Sequence, residues 1–115
     1  MQRRVVITGL GPVSALGMGI ETTWDAVTEG RSALGPIERF DASGFDCRIG
    51  GGGRDLKVTS FVPKIHRKAT KVMARDTEMA VAAAALAARD AHLVTRGNDP
   101  DAVPSYPPTK VGAHI

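Results

Sequence analysis

No glycine or proline interrupts the sequence between Pro63 and Gly97, and this stretch restricts the fold more than any other feature. Proline is well tolerated at the first position of a helix, and alanine, which is frequent here, has the highest helix propensity. Apolar residues recur every seven positions on one side, at Val72, Met79, Leu86 and Leu93, with alanines beside them at positions 80, 83, 84 and 87. The pattern predicts a long helix beginning at Pro63, with a flush face that another backbone can approach closely.

Shorter elements are predicted ahead of this helix. Residues 5–7 are a β-branched run followed by Gly9 and Gly11, which is typical of a parallel-sheet strand buried on both faces. Residues 21–29 carry acidic side chains early and are followed by Gly30, the arrangement expected of a helix with a glycine stop. Residues 32–53 are glycine-rich and predict short extended pieces joined by turns.

The last part of the sequence changes character twice. Residues 98–109 contain four prolines and are predicted to form a connecting loop. Residues 110–115 then predict a strand with Val111, Ala113 and Ile115 on one face. Such a strand needs partners for its backbone and its apolar face. We therefore expect residues 1–115 to be the N-terminal portion of a larger α/β domain that is incomplete in this chain.

Composition excludes several classes of protein. A hydrophobic content of 43% is too high for an intrinsically disordered chain, and the net charge of +3 is only mildly basic. The single cysteine, Cys47, cannot form an internal disulfide and provides no metal-ligand spacing. No apolar run is long enough for a signal peptide or a membrane span, so we expect a soluble cytoplasmic protein.

The glycine-rich loop at residues 9–14 partly matches a dinucleotide-binding fingerprint. Ser14 stands where the third glycine is required, and Pro12 removes a backbone donor. No helix is predicted directly after the loop. A tight turn that carries the chain off the end of a strand is therefore the favoured interpretation.

Neither the cysteine nor the histidines form a recognisable catalytic group. Catalytic cysteines usually lie at a helix N-terminus or beside a basic partner, whereas Cys47 lies in an apparent short strand next to Asp46. A small structural thiol is the better interpretation. His66, His92 and His114 show no spacing typical of a catalytic triad, and a favourable interaction with a helix C-terminus is enough to explain His92.

A basic series occupies the start of the predicted long helix. At 100° per residue its members fall within about 60° of one direction: Lys64, Arg67, Lys68, Lys71 and Arg75. A solvated helix face would explain such a series, and so would a docking site for an acidic protein or a phosphate group. Nucleic acid is disfavoured because no aromatic residues are interleaved and because Asp76 and Glu78 close the patch.

Taken in order, short segments across almost the whole sequence resemble the β-ketoacyl-[acyl-carrier-protein] synthases, particularly the type II elongating enzymes. The opening segment is residues 3–17 (RRVVITGLGPVSALG), and it is followed by Thr23-Trp24-Asp25-Ala26, Gly30-Arg31-Ser32, Arg39-Phe40-Asp41-Ala42-Ser43, Arg67-Lys68, Asp90-Ala91 and Lys110-Val111-Gly112. The sequence departs from the family at His92, where glycine is usual, and in its glycine-rich residues 50–53.

The resemblance implies a thiolase-like fold with αβαβα layers, normally in a homodimer, and a decarboxylative Claisen condensation. It implies no cofactor beyond the phosphopantetheine of the carrier protein that delivers the substrates. The chemistry requires an activated cysteine, two histidines and an oxyanion hole. None of these can be assigned to a residue of this sequence, and Cys47 does not match the nucleophile's motif. We therefore expect this chain to be inactive alone.

One functional role in the family falls within this sequence. Basic residues at the start of the corresponding helix contact the acidic acyl carrier protein, which makes four residues candidates for carrier docking: Lys64, Arg67, Lys68 and Lys71. No nucleic acid or membrane partner is expected. Two alternatives to the N-terminal piece of a condensing enzyme remain open, namely a non-catalytic partner subunit of the same fold and a small basic binding module unrelated to the family.

Overall fold

The computed structural model describes residues 2–52, 56–97 and 99–114. Two α-helices dominate it, α1 (Ile20–Thr28) and α2 (Arg75–Asp90). Two antiparallel ladders join four short strands: β1 (Val13–Ser14) with β2 (Gly17–Met18), and β3 (Gly35–Pro36) with β4 (Ile49–Gly50). Single 3-10 turns are formed at Val58–Ser60, Lys64–His66, Ala69–Val72 and Pro108–Lys110. This mixture of helix and strand agrees with the predicted α/β class.

Helix α1 confirms the helix predicted at residues 21–29. Glu21 lies in its first turn, and Ala26 is its fully buried contact with the interior. At its end Gly30 has a φ of +66°, and its N–H donates to Val27 O at 3.1 Å. The N–H of Arg31 donates to Ala26 O at 2.8 Å. These two bonds form a Schellman motif, in which the residue after the cap adopts a left-handed conformation that glycine accepts without strain.

Helix α2 ends in the same motif with a different residue at the left-handed position. His92 has a φ of +53°, its N–H donates to Arg89 O at 3.0 Å, and the N–H of Leu93 donates to Ala88 O at 2.8 Å. The place where glycine was expected from the family is therefore a backbone position that favours glycine. The imidazole of His92 forms no hydrogen bond with any described residue. The contribution of His92 to the end of α2 is therefore made by its backbone N–H and its left-handed conformation.

A His92→Gly substitution is expected to raise the free energy of unfolding by about 0.5–1 kcal/mol. A left-handed conformation costs an L-residue roughly 1–2 kcal/mol, and the greater flexibility of glycine in the unfolded chain offsets part of that gain. Thermal unfolding of the gene product followed by circular dichroism would measure the change. His92→Ala retains a Cβ atom and therefore the steric cost of the left-handed conformation, so it should not raise the free energy of unfolding. Equal stabilisation by both variants would contradict this explanation.

The N-terminal segment lies against the alanine face of α2 at two glycines. A Cβ atom on Gly9 would meet the carbonyl oxygen of Ala87 and the N–H of Ala91, and one on Gly11 would meet the carbonyl oxygen of Ala83. The N–H of Leu10, between the two glycines, donates to a carboxylate oxygen of Asp90 at 2.9 Å. The prediction that the alanine face of the long helix admits a close backbone is confirmed. Ala82, on the same helix, is completely buried.

The glycine-rich residues 32–52 form the expected short extended pieces and turns, while Gly53 lies outside the described residues. The ladder of β3 and β4 is the only regular pairing described within this segment. The rings of Phe40 and Phe45 pack edge to face at 5.8 Å. Between them the N–H of Ser43 donates to Asp41 at 3.0 Å, and this bond, aided by the Ser43 hydroxyl, lowers the pKa of Asp41 from its ordinary value.

Two predicted strands are not formed by the described residues. Residues 5–7 have no regular secondary structure, and Val5 and Ile7 are 94% and 82% exposed. Residues 111–114 are likewise irregular and exposed, and Ile115 lies outside the described residues. A parallel strand is held by hydrogen bonds to its neighbours, and no described residue pairs with either segment. The layers of the predicted fold are accordingly not seen in this part of the chain.

The prediction that the long helix begins at Pro63 was wrong. Residues 64–72 form 3-10 turns, Met73 and Ala74 are extended with ψ values of 135° and 160°, and α2 begins only at Arg75. A helix starting at Pro63 would have placed a series of cations at its positive N-terminal end, whereas the observed start places Asp76 and Glu78 there. Val72, expected on the packed face, is 88% exposed as a consequence.

Candidate functional site

The strongest concentration of charge is the segment from Lys57 to Arg75, called here the basic segment. It contains no aspartate or glutamate, and its cations are Lys57, Lys64, Arg67, Lys68, Lys71 and Arg75. All but Arg75 are exposed. Among the described residues, no carboxylate forms an ion pair with the four predicted docking residues Lys64, Arg67, Lys68 and Lys71. Their charges are therefore available to a partner.

The 3-10 turns change how these cations are arranged. Hydrogen bonds from Arg67 N to Lys64 O and from Lys71 N to Lys68 O, both 3.3 Å long, close two successive turns. A 3-10 helix has three residues per turn, so residues three apart lie in line. The predicted single stripe is thus replaced by two short rows, one with Lys64 and Arg67 and the other with Lys68 and Lys71.

Arg75, the fifth member of the predicted series, has a structural role. Its guanidinium donates to Leu56 O at 3.2 Å and to a carboxylate oxygen of Glu78 at 2.9 Å. The contact with Leu56 ties the first turn of α2 to the chain before the basic segment, and the contact with Glu78 lies within the helix. A second anchor lies within the segment, where the buried Thr70 donates its hydroxyl proton to Arg67 O at 2.8 Å. Both contacts fix the backbone that carries the exposed cations.

The structure adds a residue that the sequence did not indicate. The guanidinium of Arg89, near the end of α2, lies 5.5 Å from the centre of the Phe61 ring, within the range of a cation–π contact. Phe61 and Arg89 line a cleft of about 490 Å³ together with Val62, Pro63 and Lys64. Arg89 and the basic segment are separated in sequence and meet only in the fold, so no local pattern could have joined them.

The glycines of the N-terminal loop are used for packing. Gly9 and Gly11 approach the backbone of α2, and the chain then turns through the β1–β2 hairpin, where Gly19 N donates to Pro12 O at 2.9 Å. Their missing side chains are explained by the neighbouring helix. The interpretation of this loop as a tight turn agrees with this geometry.

Cys47 and the histidines lie where no nucleophile or metal site is assembled by the described residues. The Cys47 thiol is exposed and donates to Ile49 O at 3.4 Å, and in sequence Cys47 precedes β4 and does not begin α1 or α2. The imidazoles of His66, His92 and His114 form no hydrogen bond with a described residue. No group of three or more histidine, cysteine, aspartate or glutamate side chains that could hold a metal is found in residues 2–52, 56–97 and 99–114.

Comparison with known proteins decides the family. A family model described as "Beta-ketoacyl synthase, N-terminal domain" matches residues 2–107, which is nearly the whole chain. The chain belongs to the β-ketoacyl synthases. The ordered series of short resemblances that begins at Arg3 is therefore confirmed, and the alternative of a binding module unrelated to this family is wrong.

Similar β-ketoacyl synthases come from fatty acid and polyketide systems. The chain is 43% identical over 93 residues to 3-oxoacyl-[acyl-carrier-protein] synthase 2 of Synechocystis sp., covering 81% of this chain and 22% of that protein. It is 41% identical over 104 residues to the granaticin polyketide putative beta-ketoacyl synthase 1 of Streptomyces violaceoruber, covering 90% and 24%.

A solved β-ketoacyl synthase structure shares the fold. The ishigamide ketosynthase/chain length factor superposes with a TM-score of 0.68 at 34% identity, covering 84% of this chain and 23% of that one. The chain thus spans about a quarter of the length of these relatives. Among the described residues, no helix has the length and apolar character required to cross a membrane.

Proposed function

We propose that the protein is a 3-oxoacyl-[acyl-carrier-protein] synthase that condenses an acyl thioester with malonyl-carrier protein in fatty acid or polyketide biosynthesis. An acyl group passes from its carrier to a cysteine thiolate, which frees the carrier thiol. The malonyl thioester loses carbon dioxide, and the electron pair left behind attacks the acyl carbonyl and expels the cysteine thiolate. The product is a 3-oxoacyl group on the carrier. Family membership and the names of the relatives support this reaction.

The part of this function that we assign to the present chain is scaffolding and carrier docking. The observation that carries the assignment is the basic segment. Four of its residues are exposed and form no ion pair with a described carboxylate: Lys64, Arg67, Lys68 and Lys71. The segment itself contains no aspartate or glutamate. Unpaired surface cations create a positive potential that attracts an acidic partner and accelerates its association. The relatives' names state that they act on acyl carrier protein, and such a carrier is the partner we propose.

The same proposal includes the oligomeric state, the cellular location and the cofactor requirement of the protein. We expect a cytoplasmic homodimer whose substrates arrive on the phosphopantetheine arm of the carrier, with no further cofactor. We assign the catalytic cysteine to no residue of this chain, because Cys47 precedes β4 and does not begin either α-helix. No histidine of this chain is assigned a catalytic role.

The reaction can be tested on the purified gene product. Incubation with an acyl-carrier protein and malonyl-carrier protein labelled with ¹³C in its free carboxyl group is expected to release labelled carbon dioxide and to lengthen the acyl chain by two carbons, as read by mass spectrometry of the carrier. Cys47→Ser should retain this activity, because Cys47 is not the nucleophile. Loss of condensation in the Cys47→Ser variant, with folding intact, would contradict the assignment.

A second candidate function is supported by the solved structure. The name of the ishigamide ketosynthase/chain length factor pairs a ketosynthase with a chain length factor, and one chain of that structure is 34% identical to this one. Under this alternative the gene product has the same fold but releases no carbon dioxide by itself, and it alters product length only when combined with an active synthase. The labelled-malonyl assay, run with and without such a synthase, separates the two functions.

A further inference from the structure

The cleft between Phe61 and Arg89 has an apolar floor and a cationic edge. Phe61, Val62 and Pro63 line it and are partly buried, and Lys64 and Arg89 are its charged residues. Ser60, Gly97 and Pro100 complete the lining together with Ile65. None of the described residues that line it is acidic. Ile65 also borders the cleft and is 77% exposed, directly between the two cations Lys64 and Arg67 of the basic segment.

Protein–protein interfaces commonly have an apolar centre surrounded by polar and charged residues. A few apolar or aromatic side chains in a pocket contribute most of the affinity, and charges at the rim guide association and set orientation. Both charged residues among those described as lining the cleft are cations, so a complementary partner presents carboxylates around an apolar side chain. A nucleic acid is disfavoured, because the Phe61 ring is already faced by Arg89 and the rest of the floor is aliphatic.

We propose that this cleft receives one aliphatic side chain from an acidic surface of the acyl carrier protein, with Ile65 as the main apolar contact and Lys64 and Arg89 pairing with carboxylates beside it. The inference rests on the proposed function and adds an apolar anchor to docking by charge. It also assigns Arg89, which lies outside the basic segment, to the same surface. The cations set the association rate, and the anchor sets the dissociation rate.

The test uses the full gene product and the holo form of an acyl carrier protein encoded in the same genome, with rates measured by surface plasmon resonance. Ile65→Ala is expected to raise the dissociation rate about fivefold, the loss that partial removal of a buried aliphatic contact produces, and to leave the association rate unchanged. This ratio should persist at high salt, because an apolar contact is not screened. Val72→Ala is the matched control, since Val72 is 88% exposed on the same segment but does not line the cleft.

The outcomes separate the inference from the function on which it rests. A dissociation rate for Ile65→Ala equal to that of Val72→Ala, in a protein whose carrier binding still depends on Arg67 and Lys68, overturns the apolar anchor and leaves carrier docking in place. Carrier binding that depends on neither Ile65 nor the cations overturns both. Sedimentation of the same variants gives a third outcome: if Ile65→Ala abolishes self-association and leaves carrier binding unchanged, the cleft belongs to a second copy of the chain and the proposal is wrong.

Discussion

Gly11→Ala is expected to destabilise the fold by about 3 kcal/mol or more, enough to remove most of the soluble folded protein. The added Cβ would lie against the carbonyl oxygen of Ala83 and the N–H of Ala87 in the backbone of α2. Backbone atoms of a helix cannot rotate aside as a flexible side chain can, so the N-terminal segment would have to move away from the helix. That movement would also break the bond from Leu10 N to Asp90. Soluble yield and thermal unfolding of the gene product measure the effect.

The matched control is Gly44→Ala. Gly44 has no atom within 4 Å of the position of an added Cβ, and its φ lies outside the left-handed region. Alanine there should leave stability unchanged or raise it slightly by reducing the freedom of the unfolded chain. If Gly11→Ala unfolds at the same temperature as Gly44→Ala, the N-terminal segment does not pack on α2 in solution and the contact described above is wrong.

Reversing the charge of Arg67 and Lys68 together should slow association with the carrier protein by about ten- to a hundredfold at low salt. The two residues are exposed, and glutamate at both places replaces attraction with repulsion without removing a buried contact. Because exposed charges are screened, the difference from the parent protein should shrink as ionic strength rises towards 0.5 M, where the Debye length falls to about 4 Å. Stopped-flow or surface plasmon resonance rates over a salt series provide the measurement.

Arg3→Glu combined with Arg4→Glu makes the same change in net charge on exposed residues outside the basic segment. That double variant should lose far less of the association rate, which separates a local docking surface from the overall charge of the protein. An unchanged affinity at low salt in the Arg67 and Lys68 variant would count against the docking assignment.

Local signals explain what could be predicted from the sequence. Helix α1 was predicted because an acidic first turn and Gly30 as a left-handed stop act within a few residues of the chain. The close approach to the alanine face of α2 was predicted in the same way, since the small size of alanine is a property of the sequence itself. The four docking residues stay a prediction, because their exposure is observed while their partner is still to be measured.

Long-range pairing explains what could not be predicted. Val5, Val6 and Ile7 have the composition of a strand, but a strand exists only where a neighbour takes up its backbone hydrogen bonds, and no described residue does so. The break at Met73 and Ala74 contains neither glycine nor proline. Its signal was the order of charges, with cations up to Arg75 followed by Asp76 and Glu78, which favours a helix N-terminus at Arg75. Arg89 joins the basic surface only through the folded position of Phe61.

The contact of Leu10 with Asp90 spans 80 residues of sequence, and it fixes an order of events at the ribosome. At a synthesis rate of roughly 5–20 residues per second, the N-terminal segment emerges about 4–16 s before the end of α2 has been made. During that interval Gly9, Leu10 and Gly11 have no α2 to pack against. Residues 9–11 are thus secured only after the roughly 80 residues that follow them have been made, and until then they are open to other contacts, from which a chaperone would protect them.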